Sequence, residues 1–120
     1  MVILIVEDDV FIREMAEGMI SDGGHEVLSA SDVDEALVHL RSPGLIDALF
    51  TDIYLKTAVV GGCDLAREAV RIRPELRVLY TTGNSINEKL KALFLDGMQC
   101  LRKPYTQLQL QGCVDFMVAK

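Results

Sequence analysis

Cysteine is scarce in this chain of 120 residues: Cys63, Cys100 and Cys113 are the three, an odd number with no Cys-x-x-Cys pair, and His25 and His39 are the two histidines that could join them. That spacing indicates neither a disulfide framework nor a zinc site, so the cysteines read as core or surface thiols. Basic residues are also short, with 12 Lys and Arg against 18 Asp and Glu and a formal net charge of −6. A polyanion-binding surface needs a basic face, so direct nucleic-acid binding is disfavoured. Long hydrophobic runs are missing as well. The apolar run near the start, Val2-Ile3-Leu4-Ile5-Val6, has no basic flank before it and acids straight after it. It is neither a signal peptide nor a membrane span, and a cytoplasmic protein without membrane contact is expected. No linker rich in Gly, Pro or Ser divides the chain. One domain over residues 1–120 is expected, with 50% hydrophobic residues to build its core.

What is present alternates. Val2 to Val6 shows no polar alternation, as a strand buried on both faces of a parallel sheet would. Phe11, Ile12, Met15, Met19 and Ile20 then recur at helical steps up to Gly23-Gly24. Glu26 to Ala30 reads as a second strand, followed by a helix opened by a capping box at Ser31-x-x-Asp34 and closed by Ser42-Pro43-Gly44. Asp47 to Thr51 is a third strand. A loop over residues 53–62 ends in Gly61-Gly62 and leads into a helix from about Asp64 to Ile72, ahead of Pro74. Arg77 to Thr81 is the fourth strand, Ser85 to Asp96 a helix stopped by Gly97, and Gln99 to Arg102 the fifth strand. Thr106-x-x-Gln109 caps a last helix with the stripe Leu110, Val114, Met117, Val118. Met15, Met19 and Met117 read as core filler. Strict strand-helix alternation predicts an α/β fold, a doubly wound five-stranded parallel sheet of flavodoxin-like order 2-1-3-4-5.

In such sheets ligands bind beyond the carboxyl ends of the strands. There stand Glu7 and Asp8 after the first strand, Asp52 after the third, Thr82 after the fourth, and Lys103-Pro104 after the fifth. The predicted order brings Glu7, Asp8 and Asp52 to one crevice. Three like charges at close range raise their pKa values or demand a cation; a hard divalent ion is the economical remedy, and so sparse an oxygen set suits Mg²⁺ better than calcium. A carboxylate held beside such an ion can attack phosphorus to give an aspartyl phosphate, with Asp52 as nucleophile, Lys103 neutralising the phosphoryl oxygens and the Thr82 hydroxyl donating to one of them. Asp9 reads as a helix-start residue outside the cluster. His25 and His39 read as satisfied or solvated histidines.

Ile3-Leu4-Ile5-Val6-Glu7-Asp8-Asp9, Thr51-Asp52-Ile53, Leu79-Tyr80-Thr81-Thr82-Gly83 and Lys103-Pro104-Tyr105 together resemble the receiver domain of two-component response regulators, over essentially the whole chain. The resemblance implies a phosphoacceptor that assists its own phosphorylation and dephosphorylation, and not an enzyme in the ordinary sense. Asp52 takes a phosphoryl group from a phosphohistidine on a sensor histidine kinase or a histidine phosphotransfer protein. It further implies Asp8, Asp52 and the backbone carbonyl of Tyr54 as Mg²⁺ ligands, with Glu7 acting mainly through a metal-bound water. A cis peptide before Pro104 follows from it too. Tyr54 and Asn84 take the positions that border the phosphoryl group and tune its hydrolysis. The chain carries no output domain, so its output is expected either through contact with a separate effector protein, as in a stand-alone regulator, or through a fused part of a longer polypeptide, as in a hybrid kinase. A phosphorylation-linked dimer through the fourth and fifth helices is compatible with that.

Two departures from the family pattern stand out. Lys56 replaces a usual proline in a loop about two residues longer than usual, and Cys100 stands where many receivers carry an aromatic ring three residues before the lysine. With no ring there, switching is expected to rely on Thr82 and the loop and helix after it, with Tyr105 adding bulk. The alternatives are a phosphorylation-independent receiver-like interaction module, opposed by the intact acid-Thr-Lys set; a flavodoxin-like cofactor binder, opposed by acids where a phosphate loop would lie; and an aspartyl phosphohydrolase, opposed by Tyr54 where a second acid is needed.

Overall fold

All five apolar runs become strands of one parallel sheet in the order β2-β1-β3-β4-β5. They are β1 (Val2–Val6), β2 (Glu26–Ala30), β3 (Ala48–Asp52), β4 (Arg77–Thr82) and β5 (Gln99–Arg102). Between and after them run α1 (Val10–Asp22), α2 (Val33–Arg41), α3 (Gly61–Ile72), α4 (Glu88–Lys91) and α5 (Gln107–Val118). This computed structural model describes residues 1–55, 61–95 and 98–118, Val118 by its backbone alone. The readings made on Lys56 and its loop, and on a helix stop at Gly97, lie outside the described residues.

Burial on both faces explains the missing alternation. Ile3, Ile5, Ala48, Phe50 and Leu79 pack with Ala16 and Ile20 of α1 and Leu110, Val114 and Met117 of α5. Leu4, Val6, Leu49, Val78 and Tyr80 turn the other way, onto Ala36 and Leu40 of α2, Leu65 and Ala69 of α3, and Leu90 of α4. Each of the Val, Leu, Ile, Phe and Met side chains among them contributes about 1.5–3 kcal/mol on burial. The central strands therefore set the register of everything that emerges from their ends.

Several local details differ from expectation. The cap of α2 is Asp32, whose carboxylate accepts from the Glu35 amide at 2.8 Å, while the Ser31 hydroxyl donates to the Glu35 carboxylate. The box is thus Asp32-x-x-Glu35, one residue later than predicted, with a glutamate at its third helical position. Gly61 and Gly62 belong to the first turn of α3 and do not end the loop. A Cβ on Gly62 would run into the Asp52 carbonyl, so only glycine lets α3 start this close to β3. Phe11 and Met15, placed by periodicity on the inward stripe of α1, are 76% and 57% exposed. The helix buries Ala16 and Ile20 instead. Helix α4 is one turn long, where the spacing predicts a helix from Ser85 to Asp96. Its start is delayed to Glu88 because the Asn87 side chain accepts from the Leu90 amide at 2.8 Å. The predicted box on α5 forms as expected: the Gln109 amide donates to Thr106 Oγ1 at 3.1 Å and the Thr106 amide to Gln109 Oε1 at 2.9 Å.

Candidate functional site

β1 and β3 are neighbours with Val6 opposite Thr51, so the next residue of each strand, Glu7 and Asp52, emerges side by side. Glu7, Asp8 and Asp52 each present a carboxylate oxygen, and these oxygens lie within 4.8 Å of one another. Asp9 stays out of this group and caps α1, its carboxylate accepting from the amides of Phe11 and Ile12. Lys103 crosses from the end of β5, with Nζ 2.7 Å from Glu7 Oε1 and 3.0 Å from Asp52 Oδ2. Its amide donates to the Thr82 carbonyl at 2.8 Å, which ties the loop to β4. The peptide bond before Pro104 is cis, as the resemblance implies.

Glu7 and Asp52 are 3% and 5% exposed. Burial, with the Asp52 charge beside it, pushes the Glu7 carboxyl up to about 7 against the opposing hydrogen bond from Lys103. Burial alone would lower the Lys103 ammonium, but its hydrogen bonds to Glu7 and Asp52 prevail and raise it. Lys103 therefore stays charged and answers only part of the surplus of three carboxylates. Buried carboxylates left without enough positive charge are costly, and a divalent cation with oxygen ligands fits such a set.

The remaining site residues are placed less directly. The Tyr54 amide donates to Asp52 Oδ1 at 3.3 Å, which brings its backbone to the Asp52 carboxylate, while the residue is 36% exposed. Thr82 is fully buried at the end of β4, and its hydroxyl accepts from the amide of exposed Asn84 at 3.1 Å. In the ladder Asp52 lies opposite Thr81, so Thr82 follows one step later on the other face. Tyr105 is on the α1 and α5 face, edge-on to Phe50 with ring centroids 6.0 Å apart, and burial pushes its hydroxyl up to about 12. His25 and His39 have ordinary partners, the Met1 amine and the Ser29 carbonyl.

Sequence reasoning missed three contributors. Arg13 donates from Nη1 to the Glu7 carbonyl at 2.9 Å and so fixes the acidic turn from α1. Gly62 lets α3 close against the back of Asp52. A cleft of ≈ 440 Å³ also opens beside the cluster, lined by Ile12, Met15, Gly83, Lys103, Pro104 and Tyr105. No signal in the sequence marked it, because helical periodicity alone places Met15, one of its lining residues, on the inward stripe of α1. A larger hollow of ≈ 730 Å³ lies at the opposite end of the sheet, around Arg73 and Arg77, away from the carboxylates.

The sequence profile of the response regulator receiver domain matches residues 3–115. The nitrogen assimilation regulatory protein NtrX of Azorhizobium caulinodans is 31% identical over 106 residues, covering 86% of this chain and 23% of the relative. A response regulator receiver protein of Anaeromyxobacter is 33% identical over 95 residues, 79% of this chain and 39% of the relative. The chain thus spans well under half the length of these two curated relatives. Among solved structures, a response regulator receiver protein from Sinorhizobium medicae superposes with a TM-score of 0.89 at 26% identity, over 98% of this chain and 94% of the other. NtrX from Brucella abortus, solved with ADP, gives 0.87 at 29% identity, over 98% of this chain and 27% of the other.

Proposed function

The chain belongs to the response regulator receiver domain family, and on that premise we propose that it accepts a phosphoryl group on Asp52 from a phosphohistidine of a sensor histidine kinase or histidine phosphotransfer protein, in a Mg²⁺-dependent reaction, and thereby changes the surface it offers to an effector. The observation that carries this reading is the convergence of Glu7, Asp8 and Asp52 with the Lys103 ammonium at the carboxyl ends of β1, β3 and β5. In the transfer an Asp52 oxygen attacks phosphorus. The new O–P bond forms as the donor's N–P bond breaks, and the imidazole leaves with the electron pair.

Each residue has a part in that step. The Tyr54 amide and Lys103 hold the Asp52 carboxylate in place before attack. Lys103 then follows the charge onto the phosphoryl oxygens, and the Thr82 hydroxyl, whose oxygen accepts from the Asn84 amide, donates its own O–H to one of them. Glu7, Asp8, Asp52 and the Tyr54 carbonyl would hold Mg²⁺, which when bound neutralises the carboxylates and the oxygens in transfer. Arg13 keeps the acidic turn in register. The donor covers the mouth of the pocket, so its contact surface includes exposed Phe11 and Met15 of α1 and the cleft beside Pro104. No described helix is long and apolar enough to cross a membrane, and the reading carries a cytoplasmic site of action with it, where phosphohistidine donors are charged.

Intact mass after incubation with acetyl phosphate tests the proposal. One added phosphoryl group is expected in the presence of Mg²⁺, and none after chelation or in Asp52→Asn. An unmodified wild-type chain that also fails to bind Mg²⁺ would overturn it in favour of a phosphorylation-independent interaction module.

A further inference from the structure

Three threonine hydroxyls stand at the ends of β3 and β4, and two of them are paired. Thr51 Oγ1 donates to the Asp52 carbonyl at 3.0 Å, and Thr82 Oγ1 accepts from the Asn84 amide at 3.1 Å. Thr81 differs. The residue is 3% exposed, and its Oγ1 is the one buried side-chain polar atom without a hydrogen-bond partner among the described residues. A buried hydroxyl left unpaired costs stability, whereas valine has the same shape, suits a strand and carries no such cost. Packing therefore does not explain the hydroxyl at position 81.

The ladder sets it against Asp52. Asp52 and Thr81 are partners across β3 and β4, and each follows by two residues a side chain, Phe50 or Leu79, that packs on the α1 and α5 face. Strand alternation keeps both on that face, on strands about 4.8 Å apart. Lys103 comes from the same side, two residues past Leu101, the partner of Thr81 in β5. Its Nζ donates to Asp52 Oδ2 at 3.0 Å, and the Tyr54 amide donates to Oδ1. Both carboxylate oxygens are thus engaged at rest. Phosphorylation changes this, because Lys103 leaves Oδ2 for the phosphoryl oxygens. We infer that the Thr81 hydroxyl then turns about its Cα–Cβ bond, donates to the Asp52 oxygen that Lys103 has left, and so acts as a further catalytic residue that speeds hydrolysis of the aspartyl phosphate. This rests on the phosphoacceptor reading above. In that hydrolysis a water oxygen attacks phosphorus, and the new O–P bond forms as the bond from phosphorus to Asp52 breaks. The electron pair returns to the Asp52 carboxylate, and the water's two hydrogens go to the inorganic phosphate. Negative charge grows on the departing carboxylate, so a hydrogen bond to it is stronger in the transition state than in the acyl phosphate, which is the condition for acceleration.

The experiment loads the whole chain with acetyl phosphate and Mg²⁺, removes the donor, and follows the adduct in wild type, Thr81→Val and Thr81→Ser. Intact mass reads the starting occupancy of each chain and then its decay. Thr81→Val is expected to hold its phosphoryl group about tenfold longer than wild type. Thr81→Ser keeps the hydroxyl and is expected to restore a lifetime within about twofold of wild type. Before loading, Thr81→Val is also expected to melt several degrees higher, because the unpaired hydroxyl is gone. A purely structural threonine would shift melting without lengthening the lifetime. Thr81→Ala provides the same comparison should the valine chain lose its fold, with the same longer lifetime expected. An unchanged lifetime in folded Thr81→Val or Thr81→Ala, or one lengthened equally in Thr81→Ser, would overturn the inference alone. So would failure of Thr81→Val to load where wild type loads, since the hydroxyl would then serve formation of the adduct. Absence of any adduct on the wild type would overturn the phosphoacceptor reading and this inference with it.

Discussion

Two side chains dominate at the scale of single residues, Glu7 and Lys103. Glu7 sits up at about 7 where an ordinary glutamate lies near 4.5. The folded metal-free chain therefore holds this proton more tightly than the unfolded chain does. That contribution to stability is fully present below pH 4.5 and is lost as pH rises through about 7. Metal binding must displace the same proton, so Mg²⁺ affinity is expected to rise about tenfold between pH 6 and pH 8. Calorimetric titration at the two pH values checks this, with Glu7→Gln expected to flatten the dependence. For Lys103, replacement by Met removes the cation proposed to follow charge onto the phosphoryl oxygens. Phosphorylation by acetyl phosphate is expected to slow about 10²-fold, read as the rate of adduct formation by mass. The identity of both residues was legible because each stands immediately past a strand. Their ion pair was not, since nothing in the sequence says that Lys103 spans Glu7 and Asp52 together.

Elements differ in how far local sequence decides them. The reciprocal cap at Thr106 and Gln109 was readable from four residues and formed as read. Thr106→Ala is expected to cost about 1 kcal/mol in a denaturant titration. The strands were readable because an apolar run without alternation has one economical home, the inside of a parallel sheet. Where reading failed, a distant group had intervened. Helix α4 carries helical spacing up to Phe94, yet Asn87 delays its start, the Leu93 and Phe94 amides turn to carbonyls three residues back, and the Leu95 amide donates to the Tyr80 hydroxyl. The two glycines before Cys63 looked like loop punctuation, whereas Gly62 is required by the Asp52 carbonyl against which α3 closes. Gly62→Ala is expected to cost about 1–3 kcal/mol through overpacking, and to slow phosphorylation as well, because the displacement falls on the strand end that carries Asp52.

Over the whole molecule, one arrangement serves both chemistry and recognition. The sheet order puts β1 and β3 at its centre, so the acids gather where two crossovers diverge, and α1 leaves the same point with Phe11 and Met15 turned outward. Helical periodicity alone assigned those two side chains to the core, because a stripe wider than the buried face is indistinguishable from it in sequence. With Ala16 and Ile20 already packed inward, the outer pair is left exposed, where the proposed phosphodonor would dock. Replacing Phe11 and Met15 together by Ser and Gln is expected to slow transfer from a phosphohistidine protein while leaving the reaction with acetyl phosphate unchanged, which comparison of the two donors' rates will show. The account as a whole depends on one bond, between an Asp52 oxygen and phosphorus. Borohydride reduction of the phosphorylated chain followed by peptide mass mapping reads that bond directly. Homoserine at position 52, and its absence without Mg²⁺, is the predicted result; a stable adduct mapping to any other residue would contradict it.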